Sequence, residues 1–452
     1  MGLQLAVARG VSAVSTFGLK HVFRRPAANF PGKIALYIDP NLIADLSDKL
    51  ECGSVVVCGT NGKTTVTNLL ADALETAGMR VVCNRTGANL DSGVATALLH
   101  GKRADWGVFE SDELWLAKIL PQLKSDYLVL LNLFRDQLDR VGEIDRIQDS
   151  IVGSLASSPD TVLVYNADDP LCEAIARRAP NKSIAFGVAG DMGLPQNTVA
   201  DAQMCQMCSG MLDYAYRQYG QLGEYRCPQC SFSRPSLDYA ASNVRFKEDG
   251  IAFLAGTDEQ TAIEIRASVT GAYMVYNLLA TFAGANLLGC PPEAFRRALD
   301  AFDPQNGRLE KLVVHDRPIL LNLAKNPTGF NQNLKIITQD SGPRAVAFFV
   351  NDKEGDGRDV SWIWDVDFEE LAGLSDLFVF VGGIRKNDLQ VRLKYAGVEA
   401  ELIDGAADML AMTVDLPPEY RFYLIANYTA LPVVRGELVR MIAQTDSAEG
   451  SR

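Results

Sequence analysis

The sequence predicts an α/β protein in two units. The first is a P-loop domain on a parallel sheet with an inserted four-cysteine ribbon; the second is a C-terminal Rossmann-like α/β domain. Three observations predict this. The β-branched run Val55 to Val57 reads as a buried parallel strand that breaks into Gly59-Thr60-Asn61-Gly62-Lys63-Thr64-Thr65, with a helical pattern starting near Thr64. Apolar runs ending in polar or glycine turns recur before residue 170 and again after residue 311. Between these two series stand Cys205-Gln-Met-Cys208 and Cys227-Pro-Gln-Cys230, eighteen residues apart.

A chain of 452 residues has room for two or three domains, each with its own core. The expected divisions are a lead-in over 1–50, the ATP-binding domain over 51–310 with the ribbon at about 201–235, and the C-terminal domain over 311–452. A net charge of −13 argues against nucleic-acid binding by bulk electrostatics. Nine cysteines in so long a chain do not make a disulfide scaffold. No run of about twenty apolar residues is present to span a membrane. Met1 to Val22 lacks the unbroken apolar centre of a signal peptide, being interrupted by Arg9, Lys20 and His21. It reads as an amphipathic helix packed on the body, with a membrane-surface role as the alternative.

Taken in order, Arg24-Arg25-Pro26 and Phe30-Pro31-Gly32-Lys33 read as an extended lead-in, and Leu42 to Leu50 as a short helix. In the glycine loop, amides and the helix N-terminus face an anion. Lys63 is placed for the β- and γ-phosphates of ATP, and the Thr64 hydroxyl for Mg2+. The loop is expected to be exposed. Position 57, where the general phosphate loop has glycine, is Val57, so this is the shorter form. Met79 to Cys83 is the next strand, followed by the polar loop Asn84-Arg85-Thr86-Gly87-Ala88-Asn89-Leu90 and a helix over Asp91 to Leu99. The strand at Trp106 to Phe109 ends in Glu110-Ser-Asp112-Glu113. Carboxylates at the C-terminal end of a parallel strand beside a phosphate loop are placed to bind Mg2+; Glu110 and Glu113 both qualify, while Asp112 suits a helix start. Asp126 to Leu131 and Thr161 to Tyr165 are further strands, leading into Asn132…Phe134-Arg135-Asp136-Gln137-Leu138-Asp139-Arg140 and Asn166-Ala-Asp168-Asp169.

Two Cys-x-x-Cys knuckles at this spacing form a tetrahedral Zn2+ site of Cys205, Cys208, Cys227 and Cys230. Four thiolates leave the metal no open position, so its role is structural. Residues 243–269 alternate apolar and polar as antiparallel strands, and a helix starts at Gly271-Ala-Tyr273-Met-Val-Tyr276-Asn277. After Phe302 to Glu310 the second unit begins near Lys311, with strands at Leu320, Ala345, Leu377 and Phe422. Within it, Asp359 reads as the cap of a helix starting at Val360, with Trp362 packing inward.

The short Gly-Thr-Asn-Gly-Lys-Thr-Thr loop, the Asn-Arg-Thr-Gly-Ala-Asn loop and the Phe-Arg-Asp-Gln-Leu-Asp-Arg motif resemble the Mur ligase family of ATP-dependent amide-forming enzymes. With the ribbon and Asp356-Gly-Arg-Asp-Val-Ser-Trp-Ile-Trp-Asp365, nearly the whole chain resembles the branch of that family that amidates lipid II. The resemblance implies a Mur-ligase-like first domain whose glutamate at Glu110 or Glu113 holds Mg2+. It also implies an adenine contact by Asn277 and a ribose or phosphate contact by Arg308. Gln137 stands where many members carry a histidine near a second metal, so a two-metal site is not implied.

The activity implied is phosphorylation of the D-glutamate α-carboxylate of the lipid II stem peptide by ATP. Attack of ammonia on the acyl phosphate then yields D-isoglutamine. The implied partner is a glutaminase subunit, GatD, in a heterodimer. The implied setting is cytoplasmic, at the inner face of the cell membrane, with no nucleic acid involved. An aspartate matching Asp359 would complete the partner's Cys-His pair, with Asp352 and Asp356 as the fallback candidates. The chain's three histidines, His21, His100 and His315, form no evident pair with a cysteine, so glutamine hydrolysis by this chain alone is not expected. Two rival readings remain: a folylpolyglutamate-synthase-like ligase, and a zinc-ribbon nucleic-acid-binding ATPase.

Overall fold

The structure is a computed structural model, and it describes residues 3–19, 28–135, 144–194, 202–247, 250–258, 260–304 and 307–449. His21, Arg24-Arg25-Pro26 and the stretch from Asp136 to Arg140, Gln137 included, lie outside the described residues.

The first sheet has nine strands: β1 (Leu50–Cys58), β2 (Val81–Cys83), β3 (Ala104–Glu110), β4 (Tyr127–Leu130), β5 (Val162–Asn166), β6 (Ser183–Val188), β9 (Tyr239–Lys247), β10 (Gly250–Gly256) and β11 (Ile263–Ala267). Their order is β11-β10-β9-β6-β5-β4-β1-β3-β2. From β2 to β9 all neighbours run parallel, and β10 and β11 close one edge as an antiparallel meander. Parallel strands are covered on both faces, which is why Val55, Val56, Val57 and Cys58 form a continuous apolar run. On one face the helix Lys63–Thr76 buries Val66, Leu69, Leu70, Ala73 and Leu74, the stripe of a 3.6-residue period. It packs on the helix Ala272–Leu287, where Gly284 lets the two backbones approach at Leu70.

The hairpin β7 (Asp213–Tyr219) and β8 (Leu222–Arg226) forms a separate two-stranded sheet within the ribbon. The second unit holds β12 (Glu310–Val314), β13 (Arg317–Leu323), β14 (Arg344–Phe349), β15 (Leu377–Gly382), β16 (Glu401–Leu402) and β17 (Arg421–Ala426), in the order β12-β13-β17-β14-β15-β16. Only the β12–β13 pair is antiparallel. Among the described residues, no helix is long and apolar enough to cross a membrane.

The lead-in departs from expectation. Phe30-Pro31-Gly32-Lys33 starts the helix Phe30–Ile38. Proline is tolerated in a first helical turn because its missing N–H has no intrahelical partner there. Gly32 lies flat on the helix Asp91–His100, where a Cβ would meet the Ser92 carbonyl oxygen at 2.0 Å, and its amide donates to Thr96 Oγ1 at 2.9 Å. The helix at Leu42 ends at Ser47, and β1 begins at Leu50. At the N-terminus, the helix Leu3–Phe17 buries Leu5, Ala8 and Ser12 and leaves Val7, Val11, Val14 and Phe17 exposed.

Candidate active site

Strand register places the chemistry. Val57 of β1 lies beside Glu110 of β3, and Cys58 beside Leu130 of β4. The glycine loop, the carboxylates after β3 and Asn132 after β4 therefore open at one edge, the C-terminal edge of a parallel sheet where ligands bind. In the second unit Leu323, Phe349 and Gly382 all sit level with the end of β17 or of its neighbour β14. That edge faces the first one. Between them is a cavity of about 360 Å³ lined by Thr60 to Thr65, Gly87, Glu110, Asn277, Arg308, Lys325, Gln332, Asn333 and Tyr428, among others.

The loop is clamped rather than loose. Asn132 accepts from the Asn61 amide at 2.9 Å and donates to the Asn61 carbonyl at 3.0 Å, while its own carbonyl accepts from the Thr60 amide at 2.9 Å. Thr60 Oγ1 accepts from the Phe134 amide at 2.9 Å. Gly59 and Gly62 hold φ of 132° and 93°. A Cβ on Gly62 would lie 2.2 Å from Asn277 Oδ1, so glycine is required there both by conformation and by space.

Contrary to expectation, Lys63 is buried, at 8% exposure. Its Nζ donates to the Gly59 carbonyl at 2.5 Å and pairs with Glu113 Oε1 at 3.3 Å. Burial works against its charge, but Glu113, Glu110 and Asp112 outweigh that and hold its pKa above the ordinary lysine value. The two glutamates thus occupy different places. Glu113 faces Lys63, whereas Glu110 Oε2 accepts from the Thr64 hydroxyl at 2.7 Å. Asp112 caps the turn that follows, accepting from the Leu114 amide at 3.1 Å. The loop after β2 supports Glu110: Asn84 accepts from the Glu110 amide at 2.8 Å and donates to its carbonyl at 2.9 Å. Gly87 faces the Thr64–Glu110 pair, where a Cβ would stand 3.4 Å from Thr64 Oγ1. A hydroxyl and a carboxylate side by side beneath a glycine are the oxygen donors a Mg2+ ion takes.

Arg308 enters from 244 residues away and donates to Thr64 Oγ1 at 3.1 Å. Its turn is held from behind. Glu310 accepts from the Gly307 amide at 2.7 Å and from Arg435 Nε and Nη2 at 2.8 Å each. Leu309, at φ 51°, donates its amide to Asn322 at 3.0 Å. Asn326 Nδ2 donates to Asn61 Oδ1 at 3.4 Å. Asn277 lines the cavity against Gly62, buried at the first turns of its helix.

The three candidate aspartates, Asp352, Asp356 and Asp359, stand outside this cavity. Asp359 is exposed and accepts from the Ser361 amide at 2.8 Å; that amide bond holds its carboxyl below the usual range. The segment it caps is the short turn Ser361–Asp365, not a longer helix. Trp362 packs on Phe330 with ring centroids 5.2 Å apart. Asp356 is buried and accepts from the Thr429 amide at 2.8 Å, and Asp352 pairs with Arg385 at 3.6 Å. Tyr219, Gln332 and Asn333, which no sequence motif marks, also line the cavity. The last two left a signal, being part of the buried amide run Asn331-Gln332-Asn333 in the helix Pro327–Gln339.

The four ribbon thiols converge, with Sγ atoms all within 4.8 Å of one another. Cys205 and Cys230, and likewise Cys208 and Cys227, are 3.5 Å apart. Four sulfurs bound at ~2.3 Å in a tetrahedron lie ~3.8 Å apart, so the set fits zinc. The Met207 amide points at Cys205 Sγ and the Gln229 amide at Cys227 Sγ, both at 3.4 Å. Two of the ribbon's three arginines are engaged internally, and Arg226 is exposed. Arg234 pairs with buried Asp168 at 2.9 Å, and Arg217 lies over Tyr214.

Comparison with known proteins agrees with this geometry. Residues 57–209 match the Mur ligase middle domain, and residues 323–431 match the MurT ligase C-terminal domain. The nine-stranded fold and its neighbour resemble a pseudomurein peptide ligase type C from Methanothermus fervidus, with a TM-score of 0.65 at 20% identity over 88% of this chain and 80% of that one. The chain is 32% identical to the lipid II isoglutaminyl synthase (glutamine-hydrolyzing) subunit MurT of Staphylococcus aureus (strain COL), over 91% of this chain and 93% of that protein. It is 31% identical to the subunit of the same name from Streptococcus pneumoniae (strain ATCC BAA-255 / R6), over 89% of this chain and 90% of that protein. With a phosphate loop, a second α/β unit facing it and this likeness along almost the full length, the chain belongs to the MurT family of Mur ligases.

Proposed function

We propose that this chain is the ATP-dependent synthetase subunit of a lipid II isoglutaminyl synthase. It amidates the α-carboxylate of D-glutamate in the stem peptide during peptidoglycan synthesis. The observation that carries the reading is the convergence of Lys63, the Thr64–Glu110 pair and Arg308 on one cavity between two sheet edges. In this reading the amides of Gly59 to Thr65 cradle the phosphates of ATP, and Asn277 contacts adenine. Lys63 turns from Glu113 to the β- and γ-phosphates, and Arg308 meets the same phosphate end. Thr64 and Glu110 would hold Mg2+, which supplies charge neutralisation at the phosphates. The carboxylate oxygen takes the γ-phosphoryl group and ADP leaves. Ammonia then attacks the acyl carbon, phosphate departs, and the nitrogen sheds a proton to leave the amide.

Ammonia comes from a glutaminase partner, GatD, in a heterodimer. Asp359, exposed on the second unit, would orient the partner's catalytic His. The complex works at the inner face of the membrane, and the exposed stripe of Val7, Val11, Val14 and Phe17 supports that setting. Zn2+ on Cys205, Cys208, Cys227 and Cys230 is structural. The internal engagement of Arg234 and Arg217 supports a ribbon that does not bind nucleic acid.

The decisive experiment is amidation of lipid II by the chain co-purified with a glutaminase subunit. ATP- and glutamine-dependent isoglutamine formation supports the reading, and ATP hydrolysis stimulated by nucleic acid but not by lipid II overturns it. Two variants refine it. Glu110→Gln is expected to raise the Mg2+ concentration needed for half-maximal turnover about tenfold, because a carboxylate is exchanged for a neutral amide beside Thr64; an unchanged Mg2+ profile would assign the ion elsewhere. Asp359→Asn is expected to lower glutamine-dependent amidation by about 10- to 100-fold while ATP still binds. Asparagine caps a turn about as well as aspartate, so near-normal turnover with the subunits still associated would leave Asp359 a cap only.

A further inference from the structure

A hairpin tip is ordinarily the most exposed part of a hairpin. In the ribbon the reverse holds. Tyr219, Gln221 and Leu222 at the β7–β8 turn are buried, while Asp213 and Arg226 at its open end are exposed. The tip is inserted between the two segments that flank the phosphate loop. On one side Tyr219 stacks on Phe134, with ring centroids 5.9 Å apart. Gly220, at φ 55°, comes so close that a Cβ would stand 2.8 Å from that ring. Gln221 Nε2 donates to the Leu133 carbonyl at 2.7 Å. Leu133 and Phe134 directly follow Asn132, which clamps Asn61, and the Phe134 amide is the one bonded to Thr60. On the other side Tyr219 meets Tyr276 edge to face at 5.7 Å. Tyr276 adjoins Asn277, whose amide touches Gly62, and its hydroxyl donates at 2.7 Å to Asp168, the partner of Arg234 at the foot of the ribbon.

From this geometry we infer that the ribbon is a positioning element of the nucleotide site, with Tyr219 and Gln221 setting the spacing of the phosphate loop through Phe134 and Tyr276. Zn2+ on Cys205, Cys208, Cys227 and Cys230 would hold the hairpin's base, and the tip would transmit that rigidity to Thr60, Asn61 and Gly62. The ring of Tyr219 carries the contact: its partners are two aromatic faces, and it lines the same cavity as Lys63. The inference rests on the ATP reading above and deepens it.

The test uses the full chain with its partner subunit and measures the Kd for ATP with Mg2+ by calorimetry, zinc content per chain and the thermal midpoint. Tyr219→Ala, retaining one zinc per chain, is expected to weaken ATP binding about tenfold. Tyr219→Phe keeps both ring contacts and is expected to stay within about twofold of the parent, a rescue that a hydroxyl-dependent role would not give. Gln221→Leu, which loses the bond to Leu133 but keeps the bulk, serves if Tyr219→Ala does not fold; it is expected to weaken ATP binding several-fold. Parent-like affinity in a folded, zinc-loaded Tyr219→Ala or Gln221→Leu protein overturns the inference while leaving the ATP site standing. A parent that binds no ATP overturns both.

Discussion

Lys63→Ala is expected to lower ATP-dependent amidation by about 1000-fold, the loss that follows when a preorganised charge aimed at a transferring phosphoryl group is removed. No other cation takes its place in the glycine loop itself, whose remaining members are Gly, Thr and Asn. The substitution also carries a structural cost. Lys63 is buried with Glu113 at 3.3 Å, so truncation leaves a buried carboxylate without its cation, a penalty of about 3 to 5 kcal/mol. The raised pKa of Lys63 means that the contribution of its charge is fully present at neutral pH and is lost as pH rises into the strongly alkaline range. The double variant Lys63→Ala with Glu113→Gln removes both charges and is expected to recover most of the thermal midpoint but none of the activity. Steady-state kinetics and thermal unfolding of both proteins separate the two effects. Turnover within tenfold of the parent in either variant would remove Lys63 from the chemistry.

Replacing one ribbon cysteine is the second large change. Cys227→Ala is expected to reduce zinc content from one per chain to near zero, since loss of a direct ligand exceeds the 10- to 100-fold effect of losing an outer-shell partner. The ribbon's own core is small: Leu212, Tyr225 and Phe232 with Ala174 of the main body. So few side chains do not hold thirty residues by themselves, and metal binding supplies the folding energy of such a module. Zinc analysis under reducing, chelator-free conditions and limited proteolysis between residues 202 and 235 read the outcome. Full zinc occupancy in Cys227→Ala, or a metal-free parent with an equally protected ribbon, would sink the structural role.

The histidines bear on the proposed need for a partner. His100 hydrogen-bonds the Thr16 hydroxyl at 3.0 Å, and His315 sits in the turn between β12 and β13. Neither lines the cavity between the two units.

The sequence by itself determined the phosphate loop, the four-cysteine ribbon and the two α/β units. Each depends on local spacing: glycines at a strand end, two knuckles eighteen residues apart, apolar runs of strand length. It left Glu110 and Glu113 equivalent, because both follow one strand within four positions. Only the register of β1 against β3 turns Glu110 to Thr64 and carries Glu113 around to Lys63. The lead-in is helical although Pro and Gly mark turns in isolation, because packing on the helix Asp91–His100 stabilises a helix with Pro in its first turn. Lys63 was expected to be exposed because the loop is polar; the carbonyl and carboxylate that bury it come from elements joined only by folding. The approach of Arg308 to Thr64, and of Tyr219 to Phe134 and Tyr276, belongs to the tertiary structure alone, since no local pattern records which distant side chain packing brings to a loop.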